Sequence, residues 1–384
     1  VPLLQTIFAV DSNPRSNNTQ LTWGALATID WRLRPAEVVF LLFALICTVL
    51  ILLTPLPFSL KLAQIFVFQS CRLVLLLFPL SLLIIIPKAY TLAHREGWRS
   101  LGKSENIIPL LLPYWSLDFL LRSLRRTLAI FGTIYFFLHL KHVILFLHPA
   151  NFDLFFWNLD RALHFGVQPN QYLLEAFATN DEVALLIDWL YIKYFDYKMI
   201  VATLFLMELK GKRLTDQFFC AYCMLWSIGG LSYLIMPTDG PCYALLKPHA
   251  VTAQEQGHIF PFPIIDPVPE SYTAAYQRAK IWMAKNYHEI LWGHRHRFLM
   301  QGITPNSFYG IAAVPSLHVA AVVMLMLFLF ALHWGAGVVG ALYATTIFFG
   351  SIFLQWHYAT DGYIGALLGV LVIFISSHLF RKKV

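Results

Sequence analysis

Apolar residues in this chain fall into long runs separated by polar segments, and the pattern repeats from residue 37 to residue 380. A helical run of about 20 apolar residues matches the hydrocarbon thickness of a bilayer. The runs predict eight spans, at roughly 37–55, 64–86, 127–147, 186–208, 215–236, 318–334, 337–355 and 362–380. Two interruptions are long, at about 88–125 and about 237–315. Residues 151–170 behave differently: they are amphipathic and stop at Pro169-Asn170, as expected of a helix lying along the membrane interface. The expected fold is all-α and polytopic. It divides into an N-terminal segment (1–36), two extra spans with their following loop (37–125), and a six-helix core (126–380) that carries the 237–315 loop.

Composition agrees. The 384 residues are 58% hydrophobic and 13% charged, where a soluble domain carries about a quarter charged residues. The net charge of +7 could point to nucleic acid. The basic residues, however, cluster in short segments beside apolar runs, where they set topology and meet anionic lipid, so no nucleic-acid partner is expected. They concentrate in 15–34, 88–126, 210–213 and 381–383. That bias predicts cytoplasmic termini and puts 237–315 on the opposite face, periplasmic, extracellular or lumenal. The polar first 35 residues do not read as a removable signal peptide. Cys220-x-x-Cys223 lies in an apolar run, a poor redox setting, and the cysteines read as small apolar filler.

Candidate chemistry gathers in two strings, Pro315-Ser316-Leu317-His318 and His357-Tyr358-Ala359-Thr360-Asp361, each directly before an apolar run. Helix N-termini offer free N–H groups and the positive end of the dipole, which suits a phosphate. His357 and Asp361 are four apart, so a helix beginning near Trp356 would put them on one face. The carboxylate could then fix the imidazole tautomer and leave the second ring nitrogen free to attack. An isolated His-x-x-x-Asp is short and by itself reads far more readily as ordinary polar residues at a membrane boundary. Ser316 is open to two readings, helix cap or phosphate ligand. Two histidine-bearing helix starts in one plane favour chemistry over decoration, with His318 placed to give a proton to a leaving oxygen.

On these residues the chain resembles the type 2 phosphatidic acid phosphatase superfamily of membrane enzymes, which carries a Pro-Ser-Gly-His-like motif before one core helix and His-x-x-x-Asp before a later one. The resemblance implies a six-helix core and a metal-independent mechanism. His357 would be the nucleophile, forming a phosphohistidine; Asp361 would orient it, His318 would be acid then base, and Ser316 would hold the phosphate. Leu317 stands where glycine is usual, and Ser351 where the phosphatases carry arginine. The pattern is similar to the inositol phosphorylceramide synthase branch, which the Gly240-Pro241-Cys242-Tyr243 stretch and the amphipathic 153–169 segment also resemble. That branch implies transfer of a phospho-headgroup from a phospholipid donor to a lipid or polyol acceptor.

Positive charge must still meet the phosphate. Arg295 and Arg297 are the first candidates, since a guanidinium fork suits phosphate oxygens, with Lys247 and Tyr243 as further substrate contacts. A solvated basic loop meeting lipid headgroups is the competing reading. Asp188, Lys193, Asp196 and Lys198 are read either as solvated at a helix end or as lining a headgroup pocket. His139, His142, His148 and His164 are scattered without acidic companions at ligand spacing, so no metal or other cofactor is expected. Two alternatives stay open: a lipid phosphatase or pyrophosphatase with water as acceptor, and a non-enzymatic lipid transporter. The transporter would bury charges at mid-membrane and show an internal repeat, which this sequence lacks.

Overall fold

A computed structural model describes residues 30–148, 150–246, 268–301 and 313–380, with the backbone alone at Leu145 and at 295–301. Among the described residues every regular element is helical. α1 (Pro35–Leu52) starts with proline at its first position, and Glu37 accepts the Arg34 N–H at 2.8 Å. α2 (Leu60–Glu96) is capped by the Ser59 hydroxyl and ends at Gly97, whose φ of +85° suits glycine. A 3₁₀ turn (Trp98–Gly102) leads to α3 (Ser104–Trp115) and then α4 (Leu117–Leu147), which Ser116 caps. α1 packs against α4 and against α9 (Lys212–Ser232), and α2 packs against α4.

Between α4 and α9 lie α5 (Asp153–Leu163), α6 (Pro169–Phe177), α7 (Asp181–Ile192) and α8 (Tyr194–Leu206). α10 (Cys242–Leu246), α11 (Glu270–Arg278) and α12 (Trp282–Gln301) follow α9, so the described parts of the expected 237–315 loop are largely helical. α13 (Leu317–Leu332), α14 (Trp334–Phe353) and α15 (Ala359–Leu379) close the chain.

Five described stretches are long and apolar enough to cross a membrane: Pro35–Leu52, Leu60–Glu96, Ser104–Ile144, Trp334–Phe353 and Ala359–Leu379. The other three expected spans differ for local reasons. The 186–208 run divides at Lys193 into α7 and α8. α9 carries Lys212, Arg213 and Asp216 in its first turns. α13 is apolar but shorter than the rest. The chain is an all-α polytopic membrane protein.

The packing of α13 on α15 sets the site. A Cβ on Gly365 would fall 2.3 Å from the Ser316 carbonyl oxygen, and one on Gly369 would fall 2.5 Å from that of Ala320. Two small residues four apart let the backbones touch, as in other membrane helix pairs. The first turn of α13 is thereby held against the first turn of α15. Leu317 is accommodated by a matching absence: a Cβ on Gly229 of α9 would lie 2.2 Å from Leu317 Cδ2.

Candidate active site

The turn from α14 to α15 is fixed almost atom by atom. Gln355 adopts φ +67°, and the next two N–H groups, of Trp356 and His357, both donate to the Ser351 carbonyl at 2.9 and 3.2 Å. Ser351 is fully buried and its hydroxyl donates to Phe348 O. Asn170 of α6 donates its amide to the carbonyls of Ile352 and His357, at 3.0 and 2.9 Å. Gly240 crosses this turn with φ +102°; a Cβ there would lie 2.7 Å from Trp356 O.

α15 begins at Ala359, not near Trp356, so His357 precedes the helix instead of riding on it. Its N-terminus is already filled. Asp160 of the amphipathic α5 accepts the Ala359 and Thr360 N–H groups at 2.8 and 2.9 Å and also takes the Thr360 hydroxyl. Asp361 Oδ2 accepts the Tyr358 N–H at 3.0 Å. The expectation of two open helix mouths therefore fails at α15: a protein carboxylate occupies the place offered to an anion.

At α13, Ser316 is the N-cap, its hydroxyl 3.4 Å from the Val319 N–H, and its own N–H donates to Asp361 O at 3.0 Å. Tyr233 of α9 donates to Pro315 O. These bonds bring the two histidines face to face. His357 Nε2 lies 3.4 Å from His318 Nδ1, and His357 Nδ1 lies 3.4 Å from Asp361 Oδ2. The second contact lacks hydrogen-bond geometry, and neither His357 Nδ1 nor Asp361 Oδ1 has a bonding partner among the described residues. Contacts between catalytic groups are often this loose before substrate arrives. Burial first, and the charge of Lys141 second, push the His357 imidazole down to about 3, so it is neutral at physiological pH.

Two lysines from other helices converge on this pair. Lys198 of α8 is buried in an aromatic cage, its Nζ 4.3, 4.6 and 4.8 Å from the ring centroids of Tyr194, Phe195 and Trp226. The Tyr194 ring in turn lies 4.6 Å from that of His318. Lys141 of α4 sits 5.4 Å from the Phe137 ring. The charges of both reach His318, and that of Lys141 reaches His357. Neither ammonium has a carboxylate partner among the described residues.

Of the residues proposed from sequence, His318, His357, Asp361 and Ser316 come together. Tyr243 is buried against Trp292, 5.8 Å between ring centroids, among the α10–α12 helices. Lys247 and the side chains of Arg295 and Arg297 lie outside the described residues. The four polar residues of 188–198 separate. Asp188 caps α12 by accepting the Met283 and Ala284 N–H groups, Lys193 and Asp196 form an exposed pair, and Lys198 enters the site. Sequence reasoning missed Lys141, Asp160 and Asn170. Lys141 alone carried a signal, as a lone lysine inside an apolar run. The scattered histidines have local partners: His139, His142 and His164 bond carbonyls one turn back, and His148 bonds Leu234 O.

Paired imidazoles and a buried carboxylate lie together at the end of a helix bundle, beside two lysines without acidic partners among the described residues. Comparison with protein families agrees: a model described as the PAP2 superfamily matches residues 154–375, and the chain belongs to that superfamily. It is thus a membrane enzyme of the phosphatase or phosphotransferase type. No curated protein and no solved structure matches the chain.

Proposed function

We propose that the protein transfers a phospho-headgroup, inositol phosphate-like, from a phospholipid donor to a lipid or polyol acceptor through a phosphohistidine on His357, working at the outer or lumenal face. The observation that carries this reading is the His357–His318 contact of 3.4 Å beside two lysines without acidic partners. In the first step the neutral His357 Nε2 attacks phosphorus. The bond from phosphorus to the diacylglycerol oxygen breaks, and His318, which takes up a proton as the anionic substrate fills the site, gives that proton to the oxygen. In the second step an acceptor hydroxyl attacks the phosphohistidine, His318 takes its proton, and the P–N bond breaks to regenerate His357. Asp361 balances the imidazolium that forms in between, and Lys198 and Lys141 meet the phosphate charge. A phosphodiester carries one charge fewer than a monoester dianion, which fits two lysines and the serine at position 351.

The test is a labelled phospholipid given to purified enzyme in vesicles, with and without candidate acceptors. The expected result is a new phosphorylated product that depends on acceptor, with acid-labile, base-stable label on the protein. His357→Ala should lose both label and turnover. Free phosphate or free phospho-headgroup as the sole product would establish water as acceptor, and lipid movement retained by His357→Ala would indicate a transporter.

A further inference from the structure

A row of rings leads away from the histidine pair, and the phosphoryl step uses none of its polar atoms. The His318 ring lies 5.3 Å from Tyr191, Tyr191 stacks on Trp356 at 6.5 Å with 6° between planes, and Trp356 meets His288 edge-on at 4.2 Å. Tyr191 comes from α7, Trp356 is the residue before His357, and His288 comes from α12. Tyr191 OH, Trp356 Nε1 and His288 Nε2 are all shut away from solvent, and none has a hydrogen-bond partner among the described residues. Tyr191 is 6% exposed and His288 is 0% exposed, so water does not reach them freely. Phenylalanine would fill the place of Tyr191 without an unsatisfied hydroxyl, so packing does not account for it. One such atom is an accident of many cores. Three on neighbouring rings, beginning at the reactive pair, are left unsatisfied by the folded chain.

We infer that Tyr191, Trp356 and His288 form the headgroup subsite and hydrogen-bond the hydroxyls of a polyol attached to the reacting phosphate. This rests on the phosphotransfer reading above. The chemistry selects hydroxyls. Indole N–H only donates, the phenol does both, and His288, whose Nδ1 lies 3.0 Å from Tyr276 OH, gives or takes at Nε2 according to its tautomer. An amine headgroup offers no acceptor to Trp356 and would meet the charges of Lys198 and Lys141. A neutral polyol suffers neither penalty. The acidic α7 residue Asp188, which caps α12, fixes His288 relative to Tyr191, so the docking of α12 on α7 completes the lining. Tyr191, Trp356 and His288 are thus specificity-determining residues, and the bond-breaking step stays with His357 and His318.

The experiment uses the full chain in vesicles containing either phosphatidylinositol or phosphatidylethanolamine, and compares wild type with Tyr191→Phe, Trp356→Phe and His288→Gln. The wild type should favour phosphatidylinositol in kcat/KM. Tyr191→Phe and Trp356→Phe should each cut that ratio about tenfold, the value of one neutral hydrogen bond, with the loss falling in KM for phosphatidylinositol. The Tm of Tyr191→Phe should hold or rise, because the deleted hydroxyl satisfies nothing in the resting protein, whereas Trp356→Phe also loses ring packing and is read by selectivity. A second arm supplies free inositol as acceptor to phosphatidylethanolamine-loaded enzyme: a raised KM for inositol in the variants would assign the same lining to the acceptor. Unchanged selectivity and acceptor KM in all three variants would mean a water-filled pocket only and would overturn the subsite. A fall in Tm with unchanged selectivity would assign the rings to packing and overturn it equally. Turnover of neither lipid by wild type would instead overturn the phosphotransfer reading.

Discussion

α4 carries two cations far apart along its length, Arg126 buried and Lys141 half-buried, and the two are treated in opposite ways. Arg126 lies between Glu208, 2.7 Å from its Nη1, and Asp216, 2.9 Å from its Nε. Arg34 and Arg122 join the same two carboxylates, and Arg125 pairs with Glu37 at 2.6 Å, so the network ties α1, α4 and the α8–α9 junction together. Lys141 lies about 22 Å further along α4, by the rise of an α-helix. It and Lys198 have aromatic neighbours and no acid among the described residues. Buried charges are ordinarily paired. The Arg126 end obeys that rule within the chain and is structural. The Lys198 end breaks it, and on the proposed reaction the substrate's phosphate would supply the missing anion.

The contrast predicts opposite signatures. Arg126→Met should leave Glu208 and Asp216 uncompensated and cost about 3–5 kcal/mol of stability, read as a large fall in Tm, while the folded fraction keeps its kcat. Lys198→Met should lower kcat/KM about 10²–10³-fold, the usual effect of deleting a group that stabilises transition-state charge, with Tm unchanged or raised. If Lys198→Met instead melts the protein and spares activity, the two ends do not differ in kind. Orthovanadate should sharpen the same point: it should raise the Tm of wild type by binding the folded state and leave that of Lys198→Met unmoved.

A smaller effect tests the filled helix start. Asp160→Ala removes two charge-assisted bonds to the N-terminus of α15 and should cost about 2 kcal/mol. Because the same bonds place His357, kcat should fall with it, whereas a cap of equal strength elsewhere would lower Tm alone.

These residues also mark how far the sequence could be read. The strings at 315–318 and 357–361 were legible because each lies at the edge of an apolar run, and spacing alone brought Asp361 near His357. Lys141, Asp160 and Asn170 were not, because each acts across helices far apart in the chain, and Lys198 was read only as one of four polar residues either solvated or lining a headgroup pocket. A lysine in an apolar run signals cost, but not which site repays it. Asp160 looked like the polar face of an interfacial helix, and only the fold shows that face meeting the N–H groups of α15. Leu317 read as a departure from the glycine of the phosphatase pattern and as a match to the synthase branch, and the fold adds that Gly229, on another helix, gives it space. The branch of the superfamily was argued from short motifs, and those motifs fix chemistry more firmly than substrate.

The smallest predicted effect separates the two ends by pH. Burial pushes His288 down to about 3, and His357 is likewise held at about 3. An unfolded histidine titrates near 6.5, so below that pH the unfolded chain takes up protons that the folded site refuses. The sign follows: stability is full above about pH 6.5 and drains away as pH falls toward 3, with each histidine contributing about 1 kcal/mol of loss by pH 5.5. His288→Gln should remove one such contribution and flatten the fall in Tm between pH 7 and 5.5, whereas Arg126→Met should lower the curve without flattening that histidine step. An unchanged slope in His288→Gln would mean that His288 takes up its proton while folded, and the dry, neutral lining beside the reactive pair would be lost with it.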